Sequence, residues 1–128
     1  MNLSGTLLEA LGIKINEVGK GTVTATMPVD ERTRQPMGFL HGGASVALAE
    51  TVASIGAYEL VDKATEAVVG LEINANHIKG KMDGFVTAIA TIQHQGKSTM
   101  VWEIKIVDES NRLICISRCT IAVIKINK

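Results

Sequence analysis

From Gly42 to Tyr58 the chain reads Gly-Gly-Ala-Ser-Val-Ala-Leu-Ala-Glu-Thr-Val-Ala-Ser-Ile-Gly-Ala-Tyr, a run of small and apolar residues at helical length that holds one ionisable carboxylate, Glu50. A helix apolar nearly all the way round has no face to give to water, so it belongs inside, with other elements wrapped about it. An unpaired carboxylate in such surroundings costs several kcal/mol, roughly, unless it is neutralised or hydrogen-bonded, and chains carry that cost mainly at functional sites. Just upstream, Gln35-Pro36-Met37-Gly38-Phe39-Leu40-His41 brings an amide, an imidazole and a flexible glycine to the start of the helix.

What must wrap the helix follows from the rest of the pattern. Residues 6–11 read as a short helix, and residues 13–18 and 22–29 as a strand pair joined at Gly19-Lys20-Gly21. The second strand alternates cleanly, with Val23, Ala25, Met27 and Val29 on one face and threonines on the other. After the long helix come strands at 67–78, 84–94, 99–107 and 112–124, separated by turn-rich segments too short for parallel crossovers. The expected fold is therefore α+β: a strongly curved antiparallel sheet, a four-stranded meander extended by the earlier pair, around one central helix. In the first meander strand, Glu72, Asn74 and Asn76 alternate with Leu71, Ile73, Ala75 and His77. That polar row either faces solvent or lies beside a second copy of the strand across a two-fold axis.

At 128 residues the chain is expected to form one domain, 1–128. Its thirteen acidic and thirteen basic residues cancel, and no basic run appears, so neither nucleic acid nor an anionic membrane is an expected partner. No stretch approaches the roughly 18 apolar residues of a membrane span, and the N-terminus has no secretory pattern, which points to the cytoplasm. Cys115 and Cys119 fall on one strand about 13 Å apart, too far to bridge, and read as reduced, core-facing thiols. His41, His77 and His94 form no paired ligand motif, so no metal is expected.

The chemistry follows from the helix. Its N-terminus carries unpaired N–H groups and a partial positive charge, so the N–H of Gly42 or Gly43 can stabilise an oxygen that is becoming negative, as in addition to an acyl carbonyl. Glu50 lies two turns on, roughly 12 Å away, too far to serve the same carbonyl from the same helix. Two antiparallel helices across a two-fold axis would bring the N-terminus of one to the middle of the other. Ser54, one turn beyond Glu50 on the same face, could support the carboxylate.

The segments Thr26-Met27-Pro28-Val29-Asp30, Gln35-Pro36, Leu40-His41-Gly42-Gly43-Ala44-Ser45, Leu48-Ala49-Glu50 and Val68-Val69-Gly70-Leu71-Glu72-Ile73-Asn74-Ala75-Asn76-His77 resemble the hotdog-fold acyl-CoA thioesterases. The closer similarity is to the aroyl-CoA branch of the PaaI-like superfamily, which includes 1,4-dihydroxy-2-naphthoyl-CoA hydrolases and the proofreading thioesterase of enterobactin synthesis. The resemblance implies that Glu50 is the catalytic carboxylate, as nucleophile or as general base, and that the Gly42 N–H polarises the thioester carbonyl. It places Gln35 and His41 at the reaction centre and Ser54 beside the carboxylate of the opposite chain. It assigns Gly70, then His77, Ile78, Lys79 and Gly80, then His94, Gln95, Gly96, Lys97, Ser98 and Thr99, to the CoA portion of the substrate. Read alone, Lys79 and Lys97 are equally solvated turn residues, and His77 and His94 ordinary strand residues. The resemblance further implies an acyl-CoA substrate, no cofactor, and a homodimer that pairs into a tetramer. Two alternatives are weaker. Hotdog dehydratases carry Phe-Pro-Gly after the catalytic His where this chain has Gly42-Gly43, and a non-catalytic acyl-CoA binder has no use for the charge on Glu50.

Overall fold

The computed structural model describes residues 1–126. In chain order the elements are α1 (Leu7–Leu11), β1 (Lys14–Gly19), β2 (Thr22–Pro28), α2 (Gly42–Glu59), β3 (Glu66–His77), β4 (Phe85–Gln95), β5 (Thr99–Val107) and β6 (Leu113–Lys125). All six strands join one antiparallel sheet in the order β1-β2-β4-β5-β6-β3, and α2 touches every one of them. This is the expected curved sheet around a central helix. Among the described residues no helix is long and apolar enough to cross a membrane.

The core lies between α2 and the inner face of the sheet. Ser45, Leu48, Ala49, Val52, Ala53, Gly56 and Ala57, spaced three and four apart, form the buried side of the helix. They meet Val23, Ala25, Met27, Val86, Trp102, Ile104 and Ile121, all but fully buried. The small residues matter because they let the helix axis approach the sheet closely. A Cβ on Gly56 would strike the ring of Trp102, the largest buried side chain.

Two expectations need correction. The meander has three strands, β4-β5-β6, and β3 pairs with β6 through eleven positions from Glu66↔Lys125 to His77↔Cys115, forming an edge of the sheet. Residues 78–84, read as a hairpin turn, instead carry the chain across the end of the sheet past β6 and β5. The N–H groups of Ile78 and Lys79 donate to the Ile114 carbonyl, and farther on the Leu40 N–H donates to Lys81 and Arg34 Nε to Met82. Seven residues reach roughly 23 Å when extended, more than the roughly 14 Å that separates strands three places apart, so length alone does not distinguish a hairpin from this crossing.

The second correction concerns β3 itself. The register shifts between Gly70 and Glu72, a bulge that lifts Leu71 out to 60% exposure, while Ile73 and Ala75 pack on the core. Leu71 therefore does not share the face of Ile73. Glu72, Asn74 and Asn76 are exposed, and Asn74 and Asn76 line a polar groove with Glu103 and Arg118 on the sheet's outer face.

Candidate active site

α2 starts at a histidine cap. His41 is its N-cap in extended conformation, and its Nδ1 accepts the Gly43 N–H at 2.8 Å, which leaves Nε2 as the ring's donor position when neutral. One of the helix-end donors is thus satisfied, whereas among the described residues the Gly42 N–H has no acceptor. Of the two glycines proposed from sequence to meet an oxyanion, only Gly42 keeps a free donor. The ring of His77, at the end of β3, packs on Gly42 so tightly that a Cβ there would lie 2.9 Å from Nε2. His77 therefore stands at the helix N-terminus.

The loop that delivers His41 is stiffened by Thr33, whose buried hydroxyl donates to the Pro28 carbonyl at 2.7 Å and accepts the Asp30 N–H, while its carbonyl accepts the His41 N–H. Gln35 turns back on this loop. Its N–H donates to the Phe39 carbonyl and its amide oxygen accepts the Met37 N–H, so in this chain its side chain does not reach Glu50.

Glu50 is only half-buried, contrary to the enclosed position expected from the apolar run. The reason is that the sheet covers one side of α2, whereas among the described residues no strand packs on the other. That second side, Val46, Ala47, Glu50, Thr51, Ser54 and Ile55, lines a cavity of about 680 Å³ whose opposite wall is the N-terminal segment, chiefly Leu3, Leu7 and Leu8. The Thr51 hydroxyl donates to the Ala47 carbonyl at 2.6 Å, so that wall shows mainly carbon. Gly43 lies at one end of the cavity and Ser54 near the other. The Glu50 carboxylate rests over Gly70 of β3 and adds to the field on Cys119 of β6. Burial first, then the neighbouring carboxylates Glu50 and Glu72, pushes the Cys119 thiol up to about 12; burial also raises Cys115. Both cysteines are free and stay protonated.

Sequence reasoning missed the N-terminal wall. Thr6 caps α1 and Gly12 ends it in the left-handed region, as a helix signal should, but the signal of an apolar wall, half-buried Leu3 and exposed Leu7 four residues apart, is weak in so short a segment.

The residues assigned to the CoA portion divide into three places. Gly70 is at Glu50. Residues 77–80 sit at the helix N-terminus, with the Phe39 ring against Gly80. Residues 94–99 form the β4–β5 turn, where Gly96 N–H donates to the Thr99 carbonyl and Ser98 accepts from Val123. Because Thr99 pairs with Ala122, near the β6 end that faces Glu66, this turn lies at the opposite end of the sheet from His77. One chain does not bring the two segments together.

With this geometry in place, similarity can be read. The thioesterase superfamily profile matches residues 37–115, which include α2, Glu50 and the crossing segment. The chain belongs to the thioesterase superfamily, has the hotdog fold, and is an enzyme of the thioester-hydrolase class. It is similar to ComA2 of Bacillus subtilis, 62% identical over 98% of this chain and 99% of that protein. It is also similar to a 1,4-dihydroxy-2-naphthoyl-CoA hydrolase of Listeria monocytogenes, 56% identical over 95% of this chain and 98% of the relative. A mutant thioesterase of Pseudomonas aeruginosa superposes with a TM-score of 0.94 at 43% identity, covering 97% of this chain and 89% of that one.

Proposed function

We propose that this protein hydrolyses aromatic acyl-CoA thioesters to the free acid and CoA, with Glu50 as the catalytic carboxylate. The observation that carries this reading is the cavity in which a carboxylate free of hydrogen-bonded partners among the described residues meets an apolar wall. The acyl group lies along Val46, Ala47, Ile55 and the N-terminal leucines. Glu50 adds to the thioester carbonyl, or takes a proton from the water that does. The negative oxygen is held by the Gly42 N–H at a helix N-terminus, and the C–S bond breaks to release the CoA thiolate, which is then protonated; where Glu50 itself has added, water then cleaves the resulting acyl–Glu50 anhydride, releasing the free acid and restoring the carboxylate. Gln35, His41 and Ser54 complete the site, and no cofactor is needed beyond the substrate's own CoA. The aromatic assignment is supported by an apolar cavity of about 680 Å³, roomy for one or two rings, and by the substrate named for the Listeria relative.

Two chains make the site. Among the described residues β3 leaves one long edge of the sheet without a neighbour, and antiparallel pairing of two such edges sets the His77 end of one chain beside the Glu66 end of the other. That arrangement brings residues 77–80 of one protomer toward residues 94–99 of its partner and gathers the CoA segments that one chain keeps apart. Lys79 and Lys97 then flank the nucleotide's phosphates, and dimers pair further into a tetramer. The two protonated, unbridged thiols suit a reducing, cytoplasmic setting.

The direct test is release of free thiol from benzoyl-CoA, followed with a thiol reagent. Glu50→Gln keeps the shape and removes both base and nucleophile, so turnover is expected to fall about 10³-fold or more with the fold intact. Retention of more than about a tenth of wild-type turnover overturns the assignment.

A further inference from the structure

Gly70 occupies a place where glycine is otherwise a poor choice. It lies within a strand, paired with Ile121, and its φ is outside the left-handed region, so its backbone conformation is open to any residue. It is also exposed, so a side chain there would not overfill the core. What a Cβ would meet is one residue: its three nearest neighbours are Oε2, Cδ and Cγ of Glu50, with Oε2 in collision and Cδ and Cγ at 3.4 and 4.0 Å. The bulge that follows, between Gly70 and Glu72, turns Leu71 out and leaves the backbone of Gly70 bare beneath the carboxylate.

Resting on the thioesterase reading above, we propose that Gly70 is a positioning residue for Glu50: the missing side chain is the seat of the catalytic carboxylate, and Gly70 sets its reach rather than binding the CoA portion of the substrate. The group that must yield to a Cβ is the far end of a flexible side chain, not backbone or a buried ring. A methyl group at position 70 is therefore tolerated by the fold while it pushes the carboxylate off its line to the thioester carbon. A displacement of about 1 Å at a reacting group costs on the order of 10²-fold in rate.

The experiment is a kinetic cycle on the intact protein with benzoyl-CoA, using Gly70→Ala, Glu50→Asp and the double variant, and with CoA alone as the binding probe. Gly70→Ala is expected to melt within a few degrees of wild type, to lose about 10²-fold in kcat, and to keep KM and the CoA dissociation constant within about threefold. Aspartate withdraws the carboxyl by one carbon, so in the Glu50→Asp background the same Gly70→Ala change is expected to cost less than about threefold. Loss of folding in Gly70→Ala overturns the proposal, as does equal loss in both backgrounds. Weakened CoA binding with kcat retained also overturns it and returns Gly70 to the CoA site. An inert Glu50→Gln alongside any of these leaves the proposed function standing; a fully active Glu50→Gln overturns both.

Discussion

Asp108 shows how much one side chain does in this fold outside the candidate site. It closes the β5–β6 turn: one carboxylate oxygen accepts the N–H groups of Ser110 and Arg112, each at 2.9 Å, and the other accepts Arg112 Nε at 3.0 Å. The Arg112 N–H, foremost among these donors, holds the carboxyl below its ordinary value. A depressed folded-state pKa means stability that is present above the ordinary carboxylate value, about 3.9, and lost as pH falls through the lower folded value. Asp108→Asn keeps one acceptor and loses the charge. The urea midpoint of wild type should therefore exceed that of the variant at pH 7, and the gap should close as pH is lowered toward 3 and below; a gap independent of pH would show that the charge is not what holds the turn. Asp108-Glu109-Ser110-Asn111 was readable as a reversal because its turn signals are local. Glu50 was readable for a similar reason, as the one charge in an apolar run. Gly70 was not readable as its seat, because the atoms that claim its Cβ position lie twenty residues upstream and meet it only after the sheet closes.

Among the elements, α2 is the one whose two sides have separate tasks. Its sequence is apolar on both, which correctly implied a central position but concealed that the second side lines a cavity rather than a core. The packed side depends on Gly56, where a Cβ would enter the ring of fully buried Trp102. Alanine gains about 1 kcal/mol over glycine in a helix interior, whereas overpacking against a ring that cannot retreat costs about 1–3 kcal/mol, at the upper end here because three ring atoms are struck. Gly56→Ala is thus expected to destabilise the protein by about 1–2 kcal/mol, read as a lower thermal midpoint. An unchanged or higher midpoint would mean that the helix can move off the sheet. Strand identities were legible from alternation and turn residues, to within a residue or so at most ends. Strand order was not, since residues 78–84 satisfy the length and composition of a hairpin while serving as a crossing. The choice is made by partners far off in sequence, Ile114 on one side and Arg34 and Leu40 on the other.

At the scale of the whole molecule, the division of the site residues is itself an argument for two chains. Gly42 and Glu50 stand about 12 Å apart along one helix, Gln35 folds back on its own loop, and residues 77–80 and 94–99 occupy opposite ends of the sheet. The proposed antiparallel two-fold beside β3 would close these separations in one operation, joining groups that a single chain keeps apart. The consequence can be tested by mixing defects. Subunits carrying Glu50→Ala are combined, by co-expression or joint refolding, with subunits carrying Gln35→Ala and His41→Ala. If the carboxylate acts from one protomer and the Gln35, His41 and Gly42 end of the helix from its partner, each heterodimer contains one site with every group intact and one site with both defects. Two inactive parents should then yield activity at about half the wild-type value per heterodimer, because one of two sites is whole. His41→Ala also removes the cap on Gly43, at a cost of about 1 kcal/mol, so the heterodimer fraction is measured directly, by separating differently tagged subunits, before rates are compared. Verified heterodimers with no recovered turnover would place the groups of each site on one chain and remove the two-fold from the mechanism.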